Sequence, residues 1–136
     1  MGEGLLEECW FKDVVEFVEK VKKKIGSVEA VLIFGSWVRS GGGSWSDIDL
    51  LLVSDSVHGM HPLERFKLIS ELRSGRIDLF IYSYRELEEM MRKGNPLALS
   101  VLIEGKPITA SSRVLELAKK AKEMYVRINR MWVRKA

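Results

Sequence analysis

Asp47 and Asp49 open the apolar run Asp47-Ile48-Asp49-Leu50-Leu51-Leu52-Val53, and ten residues separate them from Gly35-Ser36, the dipeptide that closes Val31-Leu32-Ile33-Phe34. Strand side chains alternate between faces, so the two carboxylates share one face at a spacing of roughly 7 Å while Ile48, Leu50 and Leu52 take the other. Like charges so placed repel by roughly 3 kcal/mol at ~5 Å and an effective dielectric near 20. A divalent cation offsets that repulsion. Hard carboxylate oxygens suit Mg²⁺, which leaves its remaining positions to water and substrate phosphates. A solvated sheet face or an ordinary turn accounts for each piece alone; the combination and its spacing favour chemistry.

A third carboxylate stands in Arg76-Ile77-Asp78-Leu79-Phe80-Ile81-Tyr82, another strand pattern. Asp78 shares a face with Phe80 and Tyr82. Taken singly it reads equally well as a solvated strand end or a partner of Arg76. Beside Asp47 and Asp49 it completes a set of three, which on two adjacent strands can hold two Mg²⁺ ions for in-line displacement at phosphorus.

Gly35-Ser36, the ten-residue spacing, Asp47-x-Asp49 and the later Asp78 resemble the active site of the DNA polymerase beta nucleotidyltransferase superfamily. The short chain is similar to its minimal branch, many of whose stand-alone proteins act as antitoxins of all-helical HEPN partners. The resemblance spans about residues 28–82. It implies that Asp47 and Asp49 bind both metal ions, Mg²⁺ or alternatively Mn²⁺, and that Asp78 completes one metal site and helps activate the acceptor hydroxyl. Gly35 and Ser36 would hold the triphosphate, where a turn opening a helix offers unpaired N–H groups and glycine lets phosphate approach the backbone. Arg39 fits a phosphate clamp and equally a solvated side chain. Trp37 and Ser40 stand where many relatives have Arg and Gly, and Gly41-Gly42-Gly43 keeps the segment pliable. Trp37 and Trp45 could stack on a base or pack on their own loop.

The implied activity is transfer of a nucleoside monophosphate, AMP from ATP, to an acceptor hydroxyl, with a tyrosine of a HEPN-type partner as one acceptor. The competing reading is a non-catalytic antitoxin that binds its partner stoichiometrically. Transfer to a small molecule is a third, although relatives of that kind carry an added helical substrate domain.

A chain of 136 residues with 46% hydrophobic content fits one domain with its own core. The expected fold class is α/β (α+β): a small mixed, largely antiparallel sheet with helices packed on it, residues 1–136 forming a single minimal nucleotidyltransferase domain. That length has no room for the extra DNA-gripping domains of a template-directed polymerase. No apolar stretch approaches a membrane span, the N-terminus lacks a signal pattern, and a single cysteine, Cys9, agrees with a reducing compartment, so a cytoplasmic protein is expected. A net charge of +3 does not indicate nucleic-acid binding by itself. The basic C-terminal stretch, Lys119 to Lys135, reads most simply as a solvated helix face.

The remaining pattern predicts the elements that position the carboxylates. Trp10, Phe11, Val14, Val15, Val18, Val21 and Ile25 recur at helical spacing and Gly26 ends the run. Val28 to Phe34 predicts a buried strand, antiparallel to the Asp47 strand because the connection is too short for a crossover helix. Pro62 opens a helix to about Arg73 with Leu63, Phe66, Ile69 and Leu72 inward. Ser83-Tyr84-Arg85-Glu86 is a capping box, Gly94 ends its helix, and Asn95-Pro96 starts another to about Ile103. Ile108 suggests an edge strand. Ser111 or Ser112 caps a last helix whose stripe, Val114 through Ile128 to Met131 or Trp132, places helices over about 84–133 and suggests a homodimer or partner surface at its end. His58 and His61 lie in a loop with no other metal ligands at suitable spacing, which favours structural roles.

Overall fold

The computed structural model describes residues 2–35, 38, 48–72, 75 and 77–135, the side chains before Phe11 excepted. Four strands, β1 (Ala30–Phe34), β2 (Ile48–Val53), β3 (Ile77–Tyr82) and β4 (Lys106–Ala110), form one sheet in the order β3-β2-β1-β4. β1 pairs antiparallel with β2 and β4, whereas β2 and β3 run parallel. Near-continuous apolar sequence in β1 and β2 matches strands covered on both faces, and all of β1 is buried. β4 closes the edge with exposed Lys106 and Pro107, residue types that discourage further strand pairing.

Helices cover both faces. On one lie α1 (Gly2–Ile25), through Val14, Phe17, Val18 and Val21, and α2 (Pro62–Leu72), through Leu72 with partly buried Leu68 and Ile69; they pack on Ile33, Leu50, Leu52 and Ile81. On the other lie α3 (Tyr84–Arg92), the short α4 (Pro96–Leu99), which runs into a π turn at Ser100–Glu104, and α5 (Ser112–Met124). Leu87, Met91, Leu99, Leu102, Val114 and Leu117 from these elements bury Leu32, Leu51 and Val53. The parallel β2–β3 pair requires a crossover, supplied by a 3₁₀ turn (Asp55–Val57) and α2. Among the described residues no helix is long and apolar enough to cross a membrane.

The capping box forms as the sequence predicts: the Ser83 hydroxyl accepts from Glu86 N–H and the Glu86 carboxylate accepts from Ser83 N–H at 2.8 Å. Arg65 reinforces it, donating to both Glu86 oxygens at 3.1 and 2.9 Å and to the Val57 carbonyl at 2.8 Å. Burial pushes the Glu86 carboxyl up, but the Arg65 and Ser83 hydrogen bonds outweigh it and hold the group below its ordinary range.

Three expectations give way to the structure. The last helix ends at Met124, and helices do not fill 84–133: Tyr125–Ile128 (β5) and Met131–Arg134 (β6) form an antiparallel hairpin. Asn129 (φ 48) and Arg130 (φ 71) make its two-residue turn with left-handed backbone. The surface suggested for a homodimer through a C-terminal helix is therefore a strand face, with Val126, Ile128, Met131 and Val133 exposed. On α2, Leu63 and Phe66 are 73% and 70% exposed, because the crossover helix presents Leu68, Ile69 and Leu72 instead. On α1, Phe17 takes the buried place expected of Phe11 and Val15, both exposed.

Candidate active site

The end of β1 and the beginnings of β2 and β3 lie side by side along one edge of the sheet, because β1 runs opposite to the other two. Across that edge Phe34 is the register partner of Asp49, and Asp49 that of Asp78. Register partners in neighbouring strands project to the same face and stand ~4.8 Å apart along the hydrogen-bonding direction. Both aspartates are half-buried, and both project to the face that carries Leu51, Val53 and Phe80. On the same face the Phe34 and Phe80 rings meet at 5.7 Å, tilted by 59°.

Gly35 closes the third side. Its φ of +81° is left-handed, and a Cβ built there would overlap the Asp49 carboxylate at Oδ2. Glycine is thus required twice, by backbone and by space. The chain turns at once: Val38 N–H donates to the Gly35 carbonyl at 3.2 Å.

The structure therefore brings together Gly35, Asp49 and Asp78. Asp47, Ser36 and Arg39 lie outside the described residues, as do Trp37 and Trp45. Among the described residues no three His, Cys, Asp or Glu side chains gather as a metal cluster. The Asp49 and Asp78 pair nonetheless has the donor chemistry that suits a divalent cation: hard carboxylate oxygens from register partners on one face, both half-buried.

The opposite end of the sheet holds a charged cluster that no local pattern in the sequence marks. Arg113, at the start of α5, donates to the Glu29 carboxylate and to Asp55 Oδ2 (2.7 Å) and lies 4.2 Å over the Tyr84 ring. Ser111 Oγ donates to Glu29 at 2.8 Å. The Arg113 hydrogen bonds hold Glu29 and Asp55 below their ordinary values and raise Arg113. Burial pushes the Tyr84 hydroxyl up. These groups come from the two chain halves and pin the layers together. The histidines have local roles: His58 Nδ1 lies 2.8 Å from Ser83 Oγ, and His61 Nδ1 accepts from Leu63 N–H at 3.1 Å.

The sequence profile of the nucleotidyltransferase domain family matches residues 14–77, the segment that contains Gly35, Asp47 and Asp49 and ends one residue before Asp78. An assigned nucleotidyltransferase from Sulfolobus solfataricus is 31% identical, with 54% of this chain and 67% of that one covered and a TM-score of 0.47. A toxin–antitoxin structure with AMP-PNP superimposes with a TM-score of 0.53 at 18% identity, covering 80% of this chain and 84% of that one. A variant of the MntA-HpeT toxin–antitoxin gives a TM-score of 0.52 at 20% identity, covering 79% and 81%. No curated protein matches the sequence. With 31% identity over 67% of the Sulfolobus solfataricus chain, and a profile match that includes Gly35 and Asp49, the chain belongs to the nucleotidyltransferase domain family and is a nucleotidyltransferase.

Proposed function

We propose that the protein, as a single minimal domain over residues 1–136, transfers AMP from ATP to an acceptor hydroxyl, with Mg²⁺ held by Asp47, Asp49 and Asp78. The observation that carries this reading is the pairing of Asp49 with Asp78 in register on one face, against a glycine that leaves room for nothing larger. Bound Mg²⁺ supplies charge neutralisation on the phosphates and a lowered acceptor pKa. Gly35 and Ser36 cradle the triphosphate through backbone N–H groups, and Arg39 clamps its charge. Asp78 orients the acceptor hydroxyl and takes its proton as that oxygen bonds to the α-phosphorus. The bond from the α-phosphorus to the bridging oxygen breaks, and pyrophosphate leaves with its electrons.

ATP is favoured by the AMP-PNP bound in a neighbour of the same fold, and a HEPN-type helical toxin as partner by the toxin–antitoxin assemblies of two such neighbours. The acceptor in this reading is a tyrosine hydroxyl of that partner. Incubation with labelled ATP, Mg²⁺ and a HEPN-type partner tests it. Label on the partner's tyrosine, lost more than ~100-fold in Asp49→Asn and in Asp78→Asn, is the expected result. A partner neutralised equally by the Asp49→Asn, Asp78→Asn double variant, with no label transferred by wild type, would replace catalysis with stoichiometric binding.

A further inference from the structure

Away from the carboxylate edge, a cavity of about 470 Å³ opens between the last turn of α3, the second half of α5 and β6, lined by Arg92, Lys120, Met124 and Arg134. Three of those four side chains are cationic and none is acidic. Arg92 has only a long, exposed pairing with Glu88 at 3.7 Å. Among the described residues neither Lys120 nor Arg134 has an ion-pair partner. Cations favour the end of a helix, which explains Arg92 but not Arg134, a strand residue.

The hairpin builds the cavity wall. Arg134 sits in register with Tyr125, whose hydroxyl donates to the Arg92 carbonyl at 3.2 Å. The strand end is tied down by Lys135, whose N–H donates to the Met124 carbonyl at 2.7 Å and whose Nζ donates to the Lys122 carbonyl at 2.9 Å. The backbone positions that carry these three exposed cations are thus fixed around one open space. Beyond it Lys119, Lys122, Arg130 and Lys135 of the same segment add positive charge with no ion-pair partner among the described residues, against Glu116 and Glu123, although the whole chain is only +3.

We propose that this cavity is a second anion site, separate from the carboxylate edge, that binds phosphate groups. A single carboxylate would leave two of the three positive charges uncompensated. A phosphate dianion or two successive phosphodiesters would balance most of the charge. Arg92 and Arg134 offer the forked donors that match phosphate oxygens, and Met124 offers a soft apolar contact for a sugar. The phosphate can come from a nucleic-acid backbone or from a free polyphosphate, and the basic surface that extends past the cavity favours the backbone.

The test measures binding alone and so stands whether or not the chain transfers nucleotides. The full-length protein is titrated into labelled single-stranded RNA at low salt, with inorganic pyrophosphate and poly-glutamate in parallel. Binding of RNA with a log–log salt slope near about −2, three contacts at about −0.7 each, is expected. Lys120→Glu and Arg134→Glu should each weaken it by about tenfold with unchanged thermal unfolding, whereas Lys12→Glu, exposed on α1, should not. Pyrophosphate bound at the same site, sensitive to the same variants without RNA binding, would also support a phosphate site and identify the free anion as its source. Neither RNA nor pyrophosphate bound, binding indifferent to both variants, or poly-glutamate bound as tightly as RNA would overturn it, the last in favour of an acidic protein.

Discussion

Gly35→Ala and Gly26→Ala form a matched pair that separates backbone strain from damage to the site. Both glycines have left-handed backbone, φ +81° and +95°, yet a Cβ at Gly26 meets nothing within 4 Å while one at Gly35 overlaps the Asp49 carboxylate. A left-handed L-residue costs about 1–2 kcal/mol, of which roughly 0.5–1 is recovered because alanine restricts the unfolded chain. Gly26→Ala should therefore lose about 1 kcal/mol. Gly35→Ala adds an Asp49 side chain driven off its rotamer, a further ~1 kcal/mol. At about 3–4 °C per kcal/mol for a chain of this length, the expected drops in Tm are about 3 °C and 7 °C. The activities should diverge much further, because a displacement of ~1 Å at a reacting group costs about 100-fold. Differential scanning calorimetry gives the first comparison. Labelled-nucleotide transfer, together with Mg²⁺-dependent ATP binding by calorimetry as an acceptor-independent readout, gives the second. If Gly35→Ala keeps transfer within about threefold of wild type, or if Gly26→Ala is equally inactive, the crowding of Asp49 is not what glycine protects at this position.

Other outcomes follow from the remainder of the structure. Glu29 and Asp55 are held below their ordinary values of 4.5 and 3.8 chiefly by hydrogen bonds from Arg113, so their stabilisation is present above those values and is lost as pH falls through the depressed ones. Arg113→Met should accordingly cost about 1 kcal/mol at neutral pH, kept small because Arg113 and Asp55 are about half exposed, and the gap from wild type in urea unfolding should close under acid. Arg65, 14% exposed, satisfies both Glu86 oxygens and the Val57 carbonyl, and Arg65→Ala should lose about 2–3 kcal/mol by chemical denaturation. Leu63→Ala and Phe66→Ala should stay within about 0.5 kcal/mol of wild type, against about 3 kcal/mol for Leu51→Ala, which thermal melts distinguish. Arg130→Gly should raise stability by about 0.5–1 kcal/mol, since it supplies the residue that the left-handed second turn position prefers.

What could be read from residues alone was whatever a few neighbours decide. Ser83 and Glu86 announce their cap within one turn, and strand geometry alone says which residues of β2 share a face. Leu63 and Phe66 show the limit: helical periodicity fixed the spacing of α2 but not the rotation at which it docks, which depends on the sheet edge it crosses. In the C-terminal segment the spacing of Ile128 and Met131 continued the helical stripe of α5, while Val126, Ile128, Met131 and Val133 fit a hairpin equally well. The turn between the strands is Asn-Arg and lacks the glycine that would have betrayed it. The pairing of Asp49 with Asp78 depends on strand order, a property of the whole sheet, and the Arg113 cluster joins positions that no sequence window contains together.

The parallel partnership of β2 and β3 also sets when competence can appear as the chain folds. Antiparallel neighbours can meet through a short connection, but Asp49 gains Asp78 beside it only after α2 has been placed and the chain has returned to the same edge. Such non-local pairing is slow and comes late. A partly synthesised or partly folded chain therefore presents Asp49 without Asp78, and on the function proposed above the site is completed only when the whole sheet has formed.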